Sequence, residues 1–190
     1  MRSQFRPAIV SIGIFTILTG VLYPLIITGI AQVIFPHQAN GSLIVQNGQA
    51  IGSDLIGQSF DDPRYFWGRL SATAPFAYNG AASTGSNLGP TNQALIEEVE
   101  ARIAAVKAAD PTNNSPIPVD LVTSSGSGLD PNISVAAALY QVPRVARERG
   151  MSEEALRSLV NQYTEKRQFG LLGEPRVNVL ELNLALDGIK

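Results

Sequence analysis

The residues best suited to chemistry are Thr123-Ser124-Ser125-Gly126-Ser127-Gly128-Leu129-Asp130, a run dominated by small Ser and Gly residues. Successive backbone N–H groups in such a loop can form an anion nest. A helix beginning near Ser134 would aim its N-terminus at the same place. Ser124, Ser125, Gly126, Ser127 and Gly128 are therefore the candidates for holding a nucleotide phosphate. Against this, the G-x-x-x-x-G-K-[ST] pattern is missing and no lysine directly follows the glycines. The same residues also suit a tight turn whose serines satisfy local backbone groups. A third use is cation coordination through carbonyl oxygens, which this loop and residues 78–92 offer, with Asp61, Asp62 and Asp130 adding negative potential.

Composition closes off other chemistries. There is no cysteine, so no disulfide framework and no thiol nucleophile. The only histidine is His37, which leaves no His/Cys zinc set and makes a Ser-His pair improbable. The formal net charge of −2 gives no basic footprint for nucleic acid. With no paired-carboxylate motif either, the chain is read as having no catalytic site of its own.

The element that must position this loop first is the stretch Ala8–Phe35, which carries no charged side chain. At about 1.5 Å per residue, a helix of that length covers a hydrocarbon core of roughly 30 Å. Arg2 and Arg6 precede it, and no Lys or Arg follows until Arg64. The positive-inside rule then puts residues 1–7 in the cytoplasm, the spanning helix at 8–35 and residues 36–190 outside, in the periplasm of a bacterium. A cleaved signal peptide would have an apolar region of only about 7–15 residues, so a retained anchor is expected. Pro24 lies inside the span, and Gly13 and Gly20 are small positions that let helices approach closely in lipid. Gly13, Gly20 and Pro24 are candidate contacts with other membrane helices.

The outer part reads as one α+β domain, short strands first and then mostly helices. Ser42–Gln46 followed by Asn47-Gly48 signals a hairpin, and 51–60 a second, irregular extended segment. Tyr65-Phe66-Trp67-Gly68-Arg69 sets three aromatics between Arg64 and Arg69, either as core or as a platform at a subunit contact. On the second reading Tyr65, Trp67 and Arg69 are contact candidates, with Asn87 on the uncharged loop 78–92. That loop is expected to be ordered and to lie on the surface. Helices are expected from about Asn92 to Ala109 with Thr91 as N-cap, from Val135 to about Arg149 capped by Ser134 and closed by Gly150, and after Ser152. A further helix is expected within 177–186, with Asn178 as cap. Val119–Val122 reads as a strand.

Longer motifs carry a family resemblance. Y-F-W-G-R-L-S-A (65–72), G-S-N-L-G-P-T-N (85–92), P-V-D-L-V-T-S-S-G-S-G-L-D-P (118–131), R-V-A-R-E-R-G (144–150) and V-N-V-L-E-L-N (177–183) occur in order behind a single N-terminal span. The whole chain resembles the C subunit of the Kdp potassium-transporting P-type ATPase. The resemblance implies a non-catalytic accessory subunit of a high-affinity potassium uptake complex in a bacterial inner membrane. Its partners would be a channel-like potassium-binding subunit, an ATP-hydrolysing P-type subunit and a small membrane subunit, with ATP and potassium handled by those partners. It also implies a catalytic-chaperone effect on ATP affinity, to which the stretch Ser124–Leu129 has been likened as a nucleotide-binding signature. The charge rule puts that loop across the bilayer from cytoplasmic ATP, so an indirect effect is expected. Direct contact through loop 123–130 is the alternative.

Overall fold

The computed structural model describes residues 4–188 and divides them into two units, one ending at Leu43 and one beginning at Ile44. Arg2, half of the charge argument for orientation, lies outside the described residues.

The first unit is a continuous helix, Phe5–Ile34, long and apolar enough to cross a membrane. It starts three residues before the uncharged stretch, so Arg6 sits in its first turn. Two α-helical segments, α1 (Phe5–Ile17) and α2 (Tyr23–Ile34), flank a π-helical stretch at Leu18–Leu22. Pro24 explains the change of winding. Its ring has no N–H to give and clashes with the carbonyl four residues back, and a local π turn widens the ladder there. Thr19 returns its hydroxyl to the Phe15 carbonyl at 2.7 Å. A single turn, α3 (Pro36–Ala39), follows.

A hairpin begins at the boundary of the units, β1 (Leu43–Gln46) and β2 (Gln49–Ser53), turned by Asn47 and Gly48, both at positive φ as a two-residue hairpin requires. The extended segment stops at Ser53, where a tight turn places Ile56 opposite it. Residues 54–92 then form no helix or named strand.

α4 (Gln93–Ala109) is capped by Asn92, whose side-chain oxygen accepts the Ala94 N–H, rather than by the expected Thr91. Its apolar stripe is only partly used, since Val106 is its one buried residue. The expected strand at 119–122 is instead a 3₁₀ turn, Val119–Leu121. Asp120 turns its carboxylate to accept from the Ser134 N–H at 2.6 Å and hydroxyl at 3.1 Å, which demands a bend and not an extended run.

Residues 132–134 form a short strand, β3 (Asn132–Ser134). α5 (Val135–Arg149) follows with Ser134 as N-cap, accepting the Ala137 N–H, and with Gly150 in the left-handed conformation at its end. The Met151 N–H returns to the Ala146 carbonyl, closing a Schellman-type stop. α6 (Glu153–Gln162) is capped by Ser152. Two short strands, β4 (Thr164–Glu165) and β5 (Arg176–Asn178), then complete an antiparallel sheet of order β3-β5-β4, with Ile133 and Thr164 both opposite Val177. Val177 is therefore strand, and the last helix, α7 (Val179–Leu186), begins after the Asn178 cap. The core gathers Phe66, Leu121, Ile133, Val142, Val145, Leu156, Val160, Val177 and Leu182 from the segment before α4, the 3₁₀ turn, β3, α5, α6, β5 and α7.

Candidate functional site

The Tyr65–Arg69 strip runs through the middle of this core without belonging to a sheet, so its peptide groups need other partners. They find them in two buried amide side chains. Asn183 of α7 accepts from the Phe66 N–H and donates to the Phe66 carbonyl, both at 2.9 Å. Gln141 of α5 does the same for Trp67, at 2.8 and 3.1 Å. Each amide imitates the edge of a neighbouring strand. Sequence reasoning missed both residues. The available signal was a lone Asn or Gln on an otherwise apolar helix face.

Burial of Phe66 and Trp67 bears out the core reading of the aromatics. Trp67 lies between two guanidinium groups, Arg102 at 5.0 Å and Arg144 at 4.6 Å from its ring centre. Arg144 also donates to the Pro63 and Tyr65 carbonyls and to Gln141, while burial draws its pKa down to about 10. Arg102 ties the strip to the 3₁₀ turn through the Gly68 and Leu121 carbonyls, each at 3.0 Å. Half-buried Tyr65 donates to Asp187.

Arg69 leads from the strip into the Ser/Gly loop, pairing with Asp130 at 3.3 Å and donating to the Ser124 carbonyl at 3.2 Å. The loop's own polar groups are turned inward. The Ser125 N–H donates to the Leu70 carbonyl, the Gly128 N–H to the Ser125 carbonyl and the Leu129 N–H to the Ser127 hydroxyl. The Ser127 carbonyl accepts from the Thr84 N–H and the Ser83 hydroxyl, and the Gly128 carbonyl from the Ser71 hydroxyl. Three N–H groups of the would-be nest and most of its carbonyls are thus engaged within the fold. Gly128 has a packing reason too. Its φ is +68°, and a Cβ there would sit 2.6 Å from the Thr84 carbonyl oxygen.

These contacts join loop 123–130 to loop 78–92, which is tied in by Tyr78. Its hydroxyl donates to the Arg69 carbonyl at 2.6 Å, and burial pushes its pKa up to about 12. Asn87 is exposed at the far end of that loop, at positive φ. The three candidate acids behave differently. Asp130 accepts from Arg69 and from Asn132, and Asp62 is held by Arg64, whose hydrogen bonds lower its pKa to about 2. Asp61 is exposed. No group of three His, Cys, Asp or Glu side chains able to hold a metal occurs among the described residues.

The loop also borders a groove of about 600 Å³ beside the start of α5, lined in part by Arg69, Asp120, Asp130, Asn132, Ser134 and Arg176. Arg69 Nε and Asn132 Oδ1 are buried there without a hydrogen-bond partner among the described residues. Gly13, Gly20 and Pro24 lie on the apolar helix of the first unit, where nothing packs against Gly13. The described structure therefore joins Tyr65, Trp67, Arg69 and the Ser/Gly loop in one connected network.

Comparison with known proteins agrees with this arrangement of motifs. The chain is 66% identical over its whole length to the "Potassium-transporting ATPase KdpC subunit" of Herpetosiphon aurantiacus, covering 98% of that protein. It is 60% identical to the protein of the same name from Methylococcus capsulatus and 62% identical to that from Sorangium cellulosum, with both chains covered in full. A profile of the family described as "KdpC: K+-transporting ATPase, c chain" matches residues 5–188, and the chain belongs to that family.

Proposed function

We propose that this chain is a non-catalytic accessory subunit of an ATP-driven potassium uptake complex. The Phe5–Ile34 helix holds it in a bacterial inner membrane, and its folded unit lies outside, at the ion entrance. The carrying observation is the family match over nearly the whole chain, together with relatives whose names are those of potassium-transporting ATPase subunits. Its partners on this reading are a channel-like potassium-binding subunit, an ATP-hydrolysing P-type subunit and a small membrane subunit. Gly13, Gly20 and Pro24 are its contacts within the membrane.

The chain raises ATP affinity indirectly. A Ser/Gly loop whose Ser125, Gly128 and Leu129 N–H groups and most of whose carbonyls are bonded within the fold supports a structural role better than a phosphate cradle. Coupling between distant sites commonly amounts to about 1–3 kcal/mol, or 5–150-fold in affinity. The test is topology, because a folded unit outside the membrane cannot touch cytoplasmic ATP. Single cysteines replace Ser115 and Ser127, both exposed, in this cysteine-free chain. Labelling of intact cells by an impermeant maleimide is the expected result. Labelling only after lysis would overturn the reading.

One observation favours a second reading, in which nucleotide binds the chain directly. The groove of about 600 Å³ lies in the size range of small-molecule sites and is lined in part by Arg69, whose buried Nε has no hydrogen-bond partner among the described residues. Direct contact requires a cytoplasmic domain, binding of an ATP analogue by the full chain, and loss of that binding in Arg69→Gln.

A further inference from the structure

The turn between β4 and β5 carries Phe169 and Leu171, 93% and 80% exposed, the two most exposed large apolar side chains of the second unit among the described residues. Leu172 beside them is 60% exposed. Single exposed apolar residues are ordinary, but three in one turn form a patch that calls for a partner. None of the three belongs to the core cluster.

The turn is built rather than loose. Gln168 and Leu172 exchange N–H···O bonds at 2.9 Å in both directions, and Gly170 and Leu171 donate back to Arg167 and Gln168 at 3.1 Å. Arg167–Glu174 at 2.6 Å and Arg176–Glu165 at 2.8 Å brace its stem. Phe169 has φ +53°, where Gly or Asn is favoured and a bulky side chain is strained. Phenylalanine here is thus unfavourable in backbone conformation and in hydration, and no contact within the fold offsets either cost. Strain of this kind, kept in place by surrounding bonds, points to function.

We infer that this turn is a membrane-contact element, inserting Phe169, Leu171 and Leu172 into the interfacial layer of a phospholipid bilayer. The inference rests on the Phe5–Ile34 helix spanning that bilayer, as proposed above. Only residues 35–43 separate that helix from the second unit along the chain, so the bilayer is present at high effective concentration. A tip too small to bind a membrane by itself becomes effective under such a tether. Charge agrees with a lipid occupant. Arg167 and Arg176 are paired with Glu174 and Glu165, which leaves Lys166 as a surplus of one positive charge beside an aromatic and two leucines. Phe and Leu next to a basic residue are the composition of interfacial segments.

The test uses the complete complex in nanodiscs of phosphatidylethanolamine and phosphatidylglycerol, with cysteines removed from the partner subunits. Nitroxide is placed on Leu171→Cys and, separately, on Phe169→Cys, with Ser127→Cys and Ile26→Cys as references. Collision rates with oxygen, which favours lipid, and with a nickel chelate, which favours water, report the surroundings of each label. The expected result is an oxygen-to-nickel ratio at 171 and 169 several-fold above that at 127. A ratio equal to that at 127 places the tip in water and overturns the inference. Loss of both collisions places it against protein, a partner subunit or a second copy, and also overturns it. The Ile26 label separates the two levels. Lipid at 26 with water or protein at 171 sinks only this inference, whereas no lipid at 26 removes the spanning helix and this inference with it.

Discussion

Asn183 is 1% exposed, and its amide is the partner of both peptide groups of Phe66, so its replacement isolates what the side-chain clamp contributes. Asn183→Leu keeps the forked shape of the side chain, with methyls bulkier than the amide O and NH2, and removes both hydrogen bonds, leaving a buried N–H and a buried C=O without partners. A buried polar group so orphaned costs about 1–3 kcal/mol, which for two groups makes about 2–6 kcal/mol. Domains of this size are held by about 5–15 kcal/mol in all, so the variant should lose a large fraction of its stability. Trp67 is the only tryptophan and lies between Arg102 and Arg144, so its fluorescence follows the core directly during urea unfolding of the full chain in detergent. The expected outcome is a fall in the urea midpoint with unchanged slope. Asn161→Leu, an exposed change on α6, should stay within about 0.5 kcal/mol of the parent. A loss at Asn183 of less than about 1 kcal/mol would refute the reasoning, because water would then be replacing the amide at a position only 1% exposed.

Three further expectations use the same chain. Gly128→Ala should destabilise strongly, since it meets both a left-handed φ and the Thr84 carbonyl, whereas Gly126→Ala faces open space and should do little; thermal unfolding of the pair distinguishes a packing role from a ligand-cradling one. Ser134→Ala removes the α5 cap and one of the two donors to Asp120, and should cost about 1–2 kcal/mol by denaturant titration, more than Ser152→Ala at the exposed start of α6. The pH dependence has two limbs of opposite sign. The Asp62 pKa is lowered in the folded chain to about 2, so its contribution is present above the ordinary carboxylate range and disappears as pH falls toward 2; Arg64→Ala should move it part of the way back by carboxyl NMR, because the backbone N–H of residue 64 still donates. The Tyr78 pKa is raised to about 12, so its contribution is complete below pH 10 and is lost as pH rises between 10 and 12; Tyr65 and Tyr140 are raised as well, and the Tyr78 phenol is identified in the ultraviolet titration by its loss in Tyr78→Phe.

Much of the local structure was legible because its signals are local. Ser134, Ser152 and Asn178 cap helices as their types foretell, Gly150 stops α5, and Asn47-Gly48 turns the hairpin. The errors share a cause. Val119–Val122 has the composition of a strand, but Asp120 is drawn to the backbone of Ser134, and that distant bond bends the segment. Thr91 and Asn92 are equally good caps on paper, and the turn closed by the Asn92 N–H on the Gly89 carbonyl selects the second. The Ser/Gly loop shows the limit most clearly. Its residues suit an anion nest, a cation cage or a tight turn alike, and only the groups arriving from 70–84 show that the Ser125 N–H and the Ser127 and Gly128 carbonyls are engaged.

The sequence alone determined the membrane-length apolar helix, the caps, the turn glycines and the family, because each depends on composition or on residues a few positions apart. Tertiary structure alone decided that Gln141 and Asn183 grip the peptide groups of Trp67 and Phe66, residues 74 and 117 positions away. It decided as well that Trp67 rests between two arginines and that the turn at Phe169 is left bare. These depend on which surfaces meet once the chain closes on itself, and a buried polar group takes whatever partner that closure brings within about 3 Å.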